Sequence, residues 1–476
     1  MKVLQQIFSV KNEIKNKRKY KVITFLGFKI KFRQKSYDLE QQIKSLSKKL
    51  EKQNEKISDQ KKLIKELRQE LKTVEDKIDI LSVKENPQFV LKKIQNKIKA
   101  GEKINVLFLI REKEKWSYES LYREFEKSEF FTTTIAITTK FKGDIGKQKY
   151  QETYDFFKNN NYNIESSCLD GEVFDLKTFN PDIVFYDQPW GLFDIHKPKY
   201  VSEFALTMYC PYGIQSFDYV NNYKQNFHKF LYKYFVEHDL NIKRFESYKC
   251  GNSCNCVAVG YPKMDEYLFD KEIDKAKYWK NPDKFKIIYA PHYTCYENSV
   301  TNIGTFFKNK DFILNFAKTH PETTWIYKPH PRLEYALTED KNLMSKEEYS
   351  KYKNEWESIG NIYENGDYID IFKSSDLMIT DCASFLSEYL PSKHPLIRLR
   401  RPDSIAMNEL GEKIISEYYN VWNNEELEET INMLISGNDP KKENREKLAQ
   451  EIFDYKNPSA TKIYNYILDL FRSKDD

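Results

Sequence analysis

The chain is 476 residues long with 32 Phe and 34 Tyr, enough for two ordinary domains plus extensions, and no apolar run approaches the ~18 residues that span a bilayer. Its net charge of +5 is uneven: residues 1–35 hold eleven Lys or Arg against Glu13 alone, a net +10, which leaves −5 for the remainder. A nucleic-acid enzyme would carry its positive stripe on the folded body, so nucleic acid is not the expected partner.

The opening Met1–Gln6 lacks the apolar stretch and cleavage site of a secretory signal, and a cytoplasmic location is expected. Seven cysteines, an odd number without framework spacing, also fit a reducing compartment. Residues 1–35 form a basic segment in which Tyr20–Arg33 alternates apolar and basic residues, as a strand or hairpin with one apolar face would. A basic leader on a mildly acidic body suits peripheral attachment to an anionic membrane, at about 1 kcal/mol per Lys or Arg near the surface. The alternative is a charged tail that packs on the protein or stays disordered.

Residues 36–85 read as a coiled coil. Heptad positions a are Ile43, Leu50, Ile57, Ile64, Leu71 and Ile78, and positions d are Leu39, Leu46, Gln53, Gln60, Leu67, Val74 and Leu81. The helix would run for about 65 Å at 1.5 Å per residue. Gln53 and Gln60 cost stability but can fix register and strand number. Homo-oligomerisation is expected; a helix folded back on its own chain is the rival. Asn86-Pro87 then ends the stalk, and residues 86–102 read as a linker.

From 103 to 275 strands alternate with helices: strand Ile104–Ile110, helix Tyr118–Lys127, strand Thr132–Thr138, helix Gln148–Asn159, and strand Asp182–Tyr186 ending in Asp187. After the polar Trp279–Asp283, a second series over 284–476 begins at Phe285–Ala290. Trp325–Tyr327 reads as a buried parallel strand that delivers Lys328-Pro329-His330-Pro331 to its carboxyl end, where ligands of open α/β sheets bind. Leu377–Ile379 is another, and Asp381-Cys382-Ala383-Ser384 makes the turn into a helix running to about Leu390. A helix start facing a cation and an imidazole suits a diphosphate. No Gly-x-Gly-x-x-Gly or phosphate-loop motif is present, which argues against dinucleotide and ATP chemistry.

These motifs resemble the CDP-glycerol glycerophosphotransferase family, the teichoic-acid primases and polymerases. The matching segments are Tyr289-Ala290-Pro291-His292, Lys328-Pro329-His330, Ser375-Asp376, Thr380-Asp381-Cys382-Ala383-Ser384 with Glu388, Gly260-Tyr261-Pro262-Lys263-Met264-Asp265, and Pro395-Leu396-Ile397. The resemblance covers roughly residues 103–475. It implies a GT-B-like pair of Rossmann-like domains, with the acceptor on the N-terminal half (103–275) and the nucleotide donor on the C-terminal half (284–476). Two departures stand out: Ala383 replaces a serine, and Pro211-Tyr212-Gly213 stands where the family presents His-Gly.

The expected donor-binding residues are Lys328, His330, Cys382, Ala383, Ser384, Glu388 and Arg398. The expected catalytic residues are His330, Asp187 and His292. Asp381 is explained by helix capping. Tyr212 and His238 are further base candidates, and Tyr212 is a poor one because an unperturbed phenol titrates near ~10. Arg398, Arg400 and Arg401 could grip a phosphate or form a solvated edge. Cys250, Cys254 and Cys256 near His238 lack a second cysteine pair at zinc spacing and read as reduced thiols. No metal or cofactor is called for; a CDP-activated donor is the substrate.

The expected activity is transfer of a glycerol phosphate or related alditol phosphate from that donor to a polymer or lipid-linked hydroxyl acceptor, at the inner face of the membrane, in synthesis of teichoic-acid-like or capsular material. The alternatives are a GT-B glycosyltransferase that uses a nucleotide sugar for capsule or lipopolysaccharide assembly, and a non-catalytic coiled-coil membrane scaffold.

Overall fold

The computed structural model describes residues 8–472 except 17, 26–27, 34, 84–85, 139–142, 170–171, 224, 249–254, 270, 298, 300 and 365–366. The chain forms two compact units, Met1–Asp79 and Ile80–Asp476.

In the first unit β1 (Phe8–Lys15), β2 (Arg18–Phe25) and β3 (Phe28–Arg33) form an antiparallel sheet. Val10 lies opposite Ile23, Ile23 opposite Ile30, and Phe25 opposite Phe28. Successive side chains alternate between faces, so Val10, Ile14, Ile23, Phe25, Phe28 and Ile30 share one face, while Lys11, Lys15, Lys29 and Lys31 share the other. The strand or hairpin expected over Tyr20–Arg33 is therefore two strands of a three-stranded sheet.

The helix Lys35–Val83 is unbroken over 49 residues, as a segment without Gly or Pro allows. Its a and d residues from Ile43 to Val74 that are aliphatic stay exposed, at 47–63%.

Early in the second unit, within the segment read as a linker, lies the helix Asn86–Lys99. Pro87 sits in the first helical turn, where a missing N–H costs nothing. Val90 and Ile94, four residues apart, bury one face, and Lys93 and Lys97 pair with the buried Asp182 at 3.1 and 2.6 Å.

Its N-terminal sheet contains β4 (Ile104–Ile110), β5 (Phe131–Ile137), β6 (Ile164–Ser166), β9 (Ile183–Tyr186), β10 (Leu206–Tyr209), β11 (Lys233–Val236) and β12 (Cys256–Ala258); β7 (Cys168–Leu169) and β8 (Glu172–Val173) make a small hairpin. The strands run parallel in the order β12-β11-β10-β9-β4-β5-β6. The C-terminal sheet contains β13 (Phe285–Ala290), β14 (Thr323–Tyr327), β15 (Asn361–Ile362), β16 (Leu377–Thr380), β17 (Leu396–Leu399) and β18 (Tyr419–Val421), parallel in the order β15-β14-β13-β16-β17-β18. Helices on both faces bury the central strands completely, which is why they read as continuous apolar runs. Strand order reverses at β4/β9 and at β13/β16, and ligand crevices open at such points.

Two devices join the domains. The last helix, Ser459–Arg472, leaves the C-terminal sheet and lays Tyr464 against Phe125 and Phe131 of the N-terminal domain. Asp265 accepts hydrogen bonds from the Ser459 and Ala460 amides at that helix's start, both at 2.8 Å. Gly260, at φ +97°, leaves no room for a Cβ, which would lie 2.4 Å from Ser459 Oγ.

The second device is Asn408. Its Oδ1 accepts from Gly411 N at 2.8 Å, and its Nδ2 reaches Gln215 O at 2.7 Å, Tyr223 Oη at 3.0 Å and Asn241 Oδ1 at 3.2 Å. Asn408→Ala removes a cap and strands buried partners, so it should destabilise the protein by about 2–4 kcal/mol. Urea unfolding checks this; an unchanged midpoint would show that the tie contributes nothing.

Candidate active site

The loops after β13, β14 and β16 meet at the reversal point of the C-terminal sheet, and Asp381 ties the first to the last. It is buried and accepts from the His292 amide at 2.6 Å with Oδ1, and from the Thr305 amide and hydroxyl, the latter at 2.8 Å, with Oδ2. It does not cap the helix Ala383–Glu388, whose capping position, Cys382, uses no side-chain hydrogen bond. Burial pushes the Asp381 carboxyl up to about 6, against the pull of these donors.

His330 is held by its own backbone, with its amide donating to Pro291 O at 3.0 Å. Its ring lies 4.8 Å from the His292 ring and 4.6 Å from Tyr293, centroid to centroid. The Arg332 amide donates to His330 Nδ1 at 3.1 Å, and Thr294 N donates to His292 Nδ1 at 3.3 Å. An acceptor nitrogen carries no proton, so in both neutral imidazoles the hydrogen sits on Nε2. Burial, then the cations Arg332 and Lys328, lower His330 to about 4; burial and then His330 and Arg332 hold His292 well below its ordinary value. Both rings are neutral N–H donors at physiological pH.

Lys328 is 5% exposed and forms no hydrogen bond or ion pair through Nζ among the described residues. Its ammonium stands over Tyr363, Tyr368 and Phe385, 5.4–5.6 Å from each ring centre. Burial lowers it to about 8. A buried cation over aromatic faces, bonded to no carboxylate among the described residues, is suited to attract an anion.

Lys263 lies over one ring of that cage, 4.0 Å from the Tyr368 centre, and Tyr368 donates its hydroxyl to Glu388 Oε2. Burial raises the Glu388 carboxyl, while Lys263, Tyr368 and Lys328 oppose the shift. Glu388 Oε1 also sits 3.5 Å from where a Cβ on Gly213 would be. The helix Ala383–Glu388 thus faces the turn Pro211-Tyr212-Gly213 of the N-terminal domain.

Of the expected diphosphate donors, the Cys382 amide is already taken: it donates to Thr380 Oγ1 at 2.9 Å. The first-turn amides of Ala383 and Ser384 have no backbone acceptor among the described residues. Both residues are half-buried, and Ser384 Oγ is 3.6 Å from Cys382 Sγ.

Asp187 occupies the matching reversal point of the N-terminal sheet. Its Oδ2 accepts from the Arg111 amide at 2.8 Å, and its Oδ1 is buried without a hydrogen-bond partner among the described residues. Burial raises it to about 7, although the Arg111 amide and Lys115 pull the other way. Tyr212 is pushed up to about 12 by burial and then by Glu112 and Asp187, and remains a neutral phenol at physiological pH. His238 is a helix cap, its Nδ1 accepting from Leu240 N at 3.1 Å. Cys250 and Cys254 lie outside the described residues.

Arg398 lies within β17, one residue before its end, beside Thr380, with which it is in register. It lines a separate cavity rather than the histidine cluster. Lys263, Tyr363, Tyr368 and Thr305 were not among the expected site residues. Lys263 carried a signal in its Pro-Lys-Met-Asp setting; Thr305, 76 residues from Asp381, carried none.

Among solved structures, one from Listeria monocytogenes described as a UDP-N-acetylglucosamine 2-epimerase matches at 15% identity and TM-score 0.53, covering 78% of this chain and 98% of that one. A UDP-GlcNAc 2-epimerase from Neisseria meningitidis, bound to UDP-GlcNAc, matches at 13% identity and TM-score 0.52, over 77% of this chain and 100% of its own. The S. aureus MnaA-UDP co-structure matches at 16% identity and TM-score 0.51, over 79% and 99%. These likenesses show the two-domain GT-B-like fold. No curated protein matches the chain significantly. Residues 232–469, half of the sequence, match the family described as CDP-Glycerol:Poly(glycerophosphate) glycerophosphotransferase. They contain the histidine pair, the lysine cage and the helix start at Ala383, and the chain belongs to that family as a glycerophosphotransferase-like transferase.

Proposed function

We propose that the protein moves a glycerol-phosphate or related alditol-phosphate unit from a CDP-activated donor to a hydroxyl acceptor in synthesis of a teichoic-acid-like or capsular surface polymer. The observation that carries this is the convergence of an unpaired buried Lys328 and two neutral Nε2–H imidazoles at one reversal point of the sheet. The acceptor hydroxyl attacks the donor's β-phosphorus in line, its proton passes to a base, and the bond to the bridging oxygen breaks to release CMP. Lys328, His330 and the Ala383 and Ser384 amides take the charge that develops on the phosphoryl and leaving oxygens. Glu388 is placed to accept hydrogen bonds from ribose or glycerol hydroxyls. Asp187 is the proposed base: its raised carboxyl is matched to proton abstraction near neutrality, whereas Tyr212 is not.

The shared fold with structures holding UDP or UDP-GlcNAc favours one second reading, a glycosyltransferase using a nucleotide sugar for capsule or lipopolysaccharide assembly. Donor screening separates the two. CMP release from CDP-glycerol or CDP-ribitol supports the first; turnover with a nucleotide sugar alone supports the second. The match to a transferase family leaves the non-catalytic scaffold without support.

The exposed heptad seam fits self-association, and the apolar face of the three-stranded sheet β1-β2-β3 with its basic residues fits an anionic membrane. No described helix is long and apolar enough to cross a membrane. Sedimentation velocity should show a species larger than the 57.1 kDa monomer, and binding to phosphatidylglycerol vesicles should weaken with salt. A monomer, or absence of vesicle binding, contradicts the corresponding proposal.

A further inference from the structure

At the carboxyl ends of β17 and β18 lies a cavity of about 320 Å3 whose lining includes Arg398, Arg400, Arg401, Ser404, Glu412 and Asn420. Arg401 is already committed, to Asp403 at 2.6 and 2.7 Å and to Gly304 O at 3.2 Å. The other two arginines are not. Arg398 is 7% exposed, and its one side-chain hydrogen bond among the described residues is a long contact of 3.5 Å from Nη1 to Asn420 Oδ1. Arg400 lies 3.9 Å from the Trp422 ring centre. Neither forms an ion pair among the described residues, and Glu412, the one acidic group in the lining, is paired with neither. Burying a guanidinium without a counter-ion is costly, and burial followed by the neighbouring Arg400 lowers Arg398 to about 10. A ligand oxyanion that two forked guanidinium groups can grip would offset that cost.

The cavity adjoins the catalytic cluster without being part of it. Arg398 is in register with Thr380, one strand spacing of about 4.8 Å away. The loop between them is shared: Ile405 N donates to Thr301 O at 2.9 Å, Thr301 Oγ1 lies 3.2 Å from Thr294 Oγ1, and Thr294 Oγ1 lies 2.8 Å from His292 Nδ1. The lining also includes Ala406 and Met407, and the backbone there is bonded to the N-terminal domain, the acceptor side: Asp218 N donates to Ala406 O and Asn408 N to Ser216 O, both at 2.9 Å. We propose that this cavity is a second phosphate subsite, distinct from the donor's diphosphate cradle, which holds a phosphate group of an acceptor that itself carries phosphoesters. The acceptor assignment rests on the transferase reading; the anion site does not.

Calorimetric titration of sn-glycerol 3-phosphate into the full chain saturated with CDP tests it, with inorganic phosphate as the second probe. Binding should persist beside CDP, weaken at least tenfold in Arg398→Gln and severalfold in Arg400→Gln, and stay unchanged in His330→Ala. Tighter binding of glycerol phosphate than of inorganic phosphate assigns the site to an ester-bearing chain; equal binding supports the anion site but overturns the acceptor assignment. Arg400→Gln, at a half-buried position, keeps the test valid if Arg398→Gln fails to fold. Absence of binding, or equal affinity in wild type and a folded arginine variant, overturns the proposal. If CDP does not bind while glycerol phosphate still depends on Arg400, the donor reading fails and the subsite stands.

Discussion

Replacing His330 by alanine should lower kcat/KM for CMP release by about 10²–10³-fold while leaving the fold intact. The ring donates from Nε2 because its Nδ1 is occupied by the Arg332 amide, and it contributes nothing to the core beyond contacts with His292 and Tyr293. The loss should therefore fall on the transition state, where charge grows on the phosphoryl oxygens, and appear in kcat as well as in KM. Steady-state kinetics with CDP-glycerol and a thermal melt measure both halves. Near-wild-type turnover would remove His330 from the chemistry, and a collapsed melting temperature would recast it as structural.

Asp187→Asn should cost about 10²–10⁴-fold in turnover, the range for loss of a general base, and should change the pH profile as well. The wild-type kcat/KM should be bell-shaped. Asp187, raised to about 7, is protonated and inactive as a base below that pH, so the acid limb should centre there. Lys328, lowered to about 8, loses its charge above that pH and with it the attraction for the diphosphate, so the alkaline limb should centre near 8. His330, lowered to about 4, stays neutral throughout and should add no limb. In Asp187→Asn the acid limb should vanish and the alkaline limb remain; an acid limb that survives assigns the base elsewhere.

What could be read in advance was whatever burial writes locally into the chain. The parallel strands Ile104–Ile110, Phe285–Ala290 and Leu377–Thr380 are buried on both faces and appear as apolar runs, so the α/β pairing and the positions of Lys328 and His330 at strand ends followed directly. Asn86-Pro87 follows the end of the long helix at Val83, but the helix that begins there was not legible, because Pro both follows one helix and starts another and the burial of Val90 and Ile94 is set by tertiary packing. The role of Asp381 was hidden for a different reason. A capping residue is recognised from its neighbours, but its partners are His292 and Thr305, brought to it by strand order rather than sequence. The Cys382 amide, expected to meet phosphate, was likewise consumed by Thr380, a bond that depends on how the strand ends. Lys328 was expected as a phosphate ligand, but its cage of Tyr363, Tyr368 and Phe385 needed coordinates.

The proposed chemistry lies at one point, where the loops after β13, β14 and β16 converge opposite Gly213. The most direct measurement is a structure of the full chain with a non-hydrolysable CDP-alditol analogue. The account predicts the diphosphate between the Ala383–Ser384 amides and His330, with an oxygen within hydrogen-bond distance of His330 Nε2 and Lys328 Nζ. A diphosphate bound elsewhere, with neither group touching it, would contradict the account.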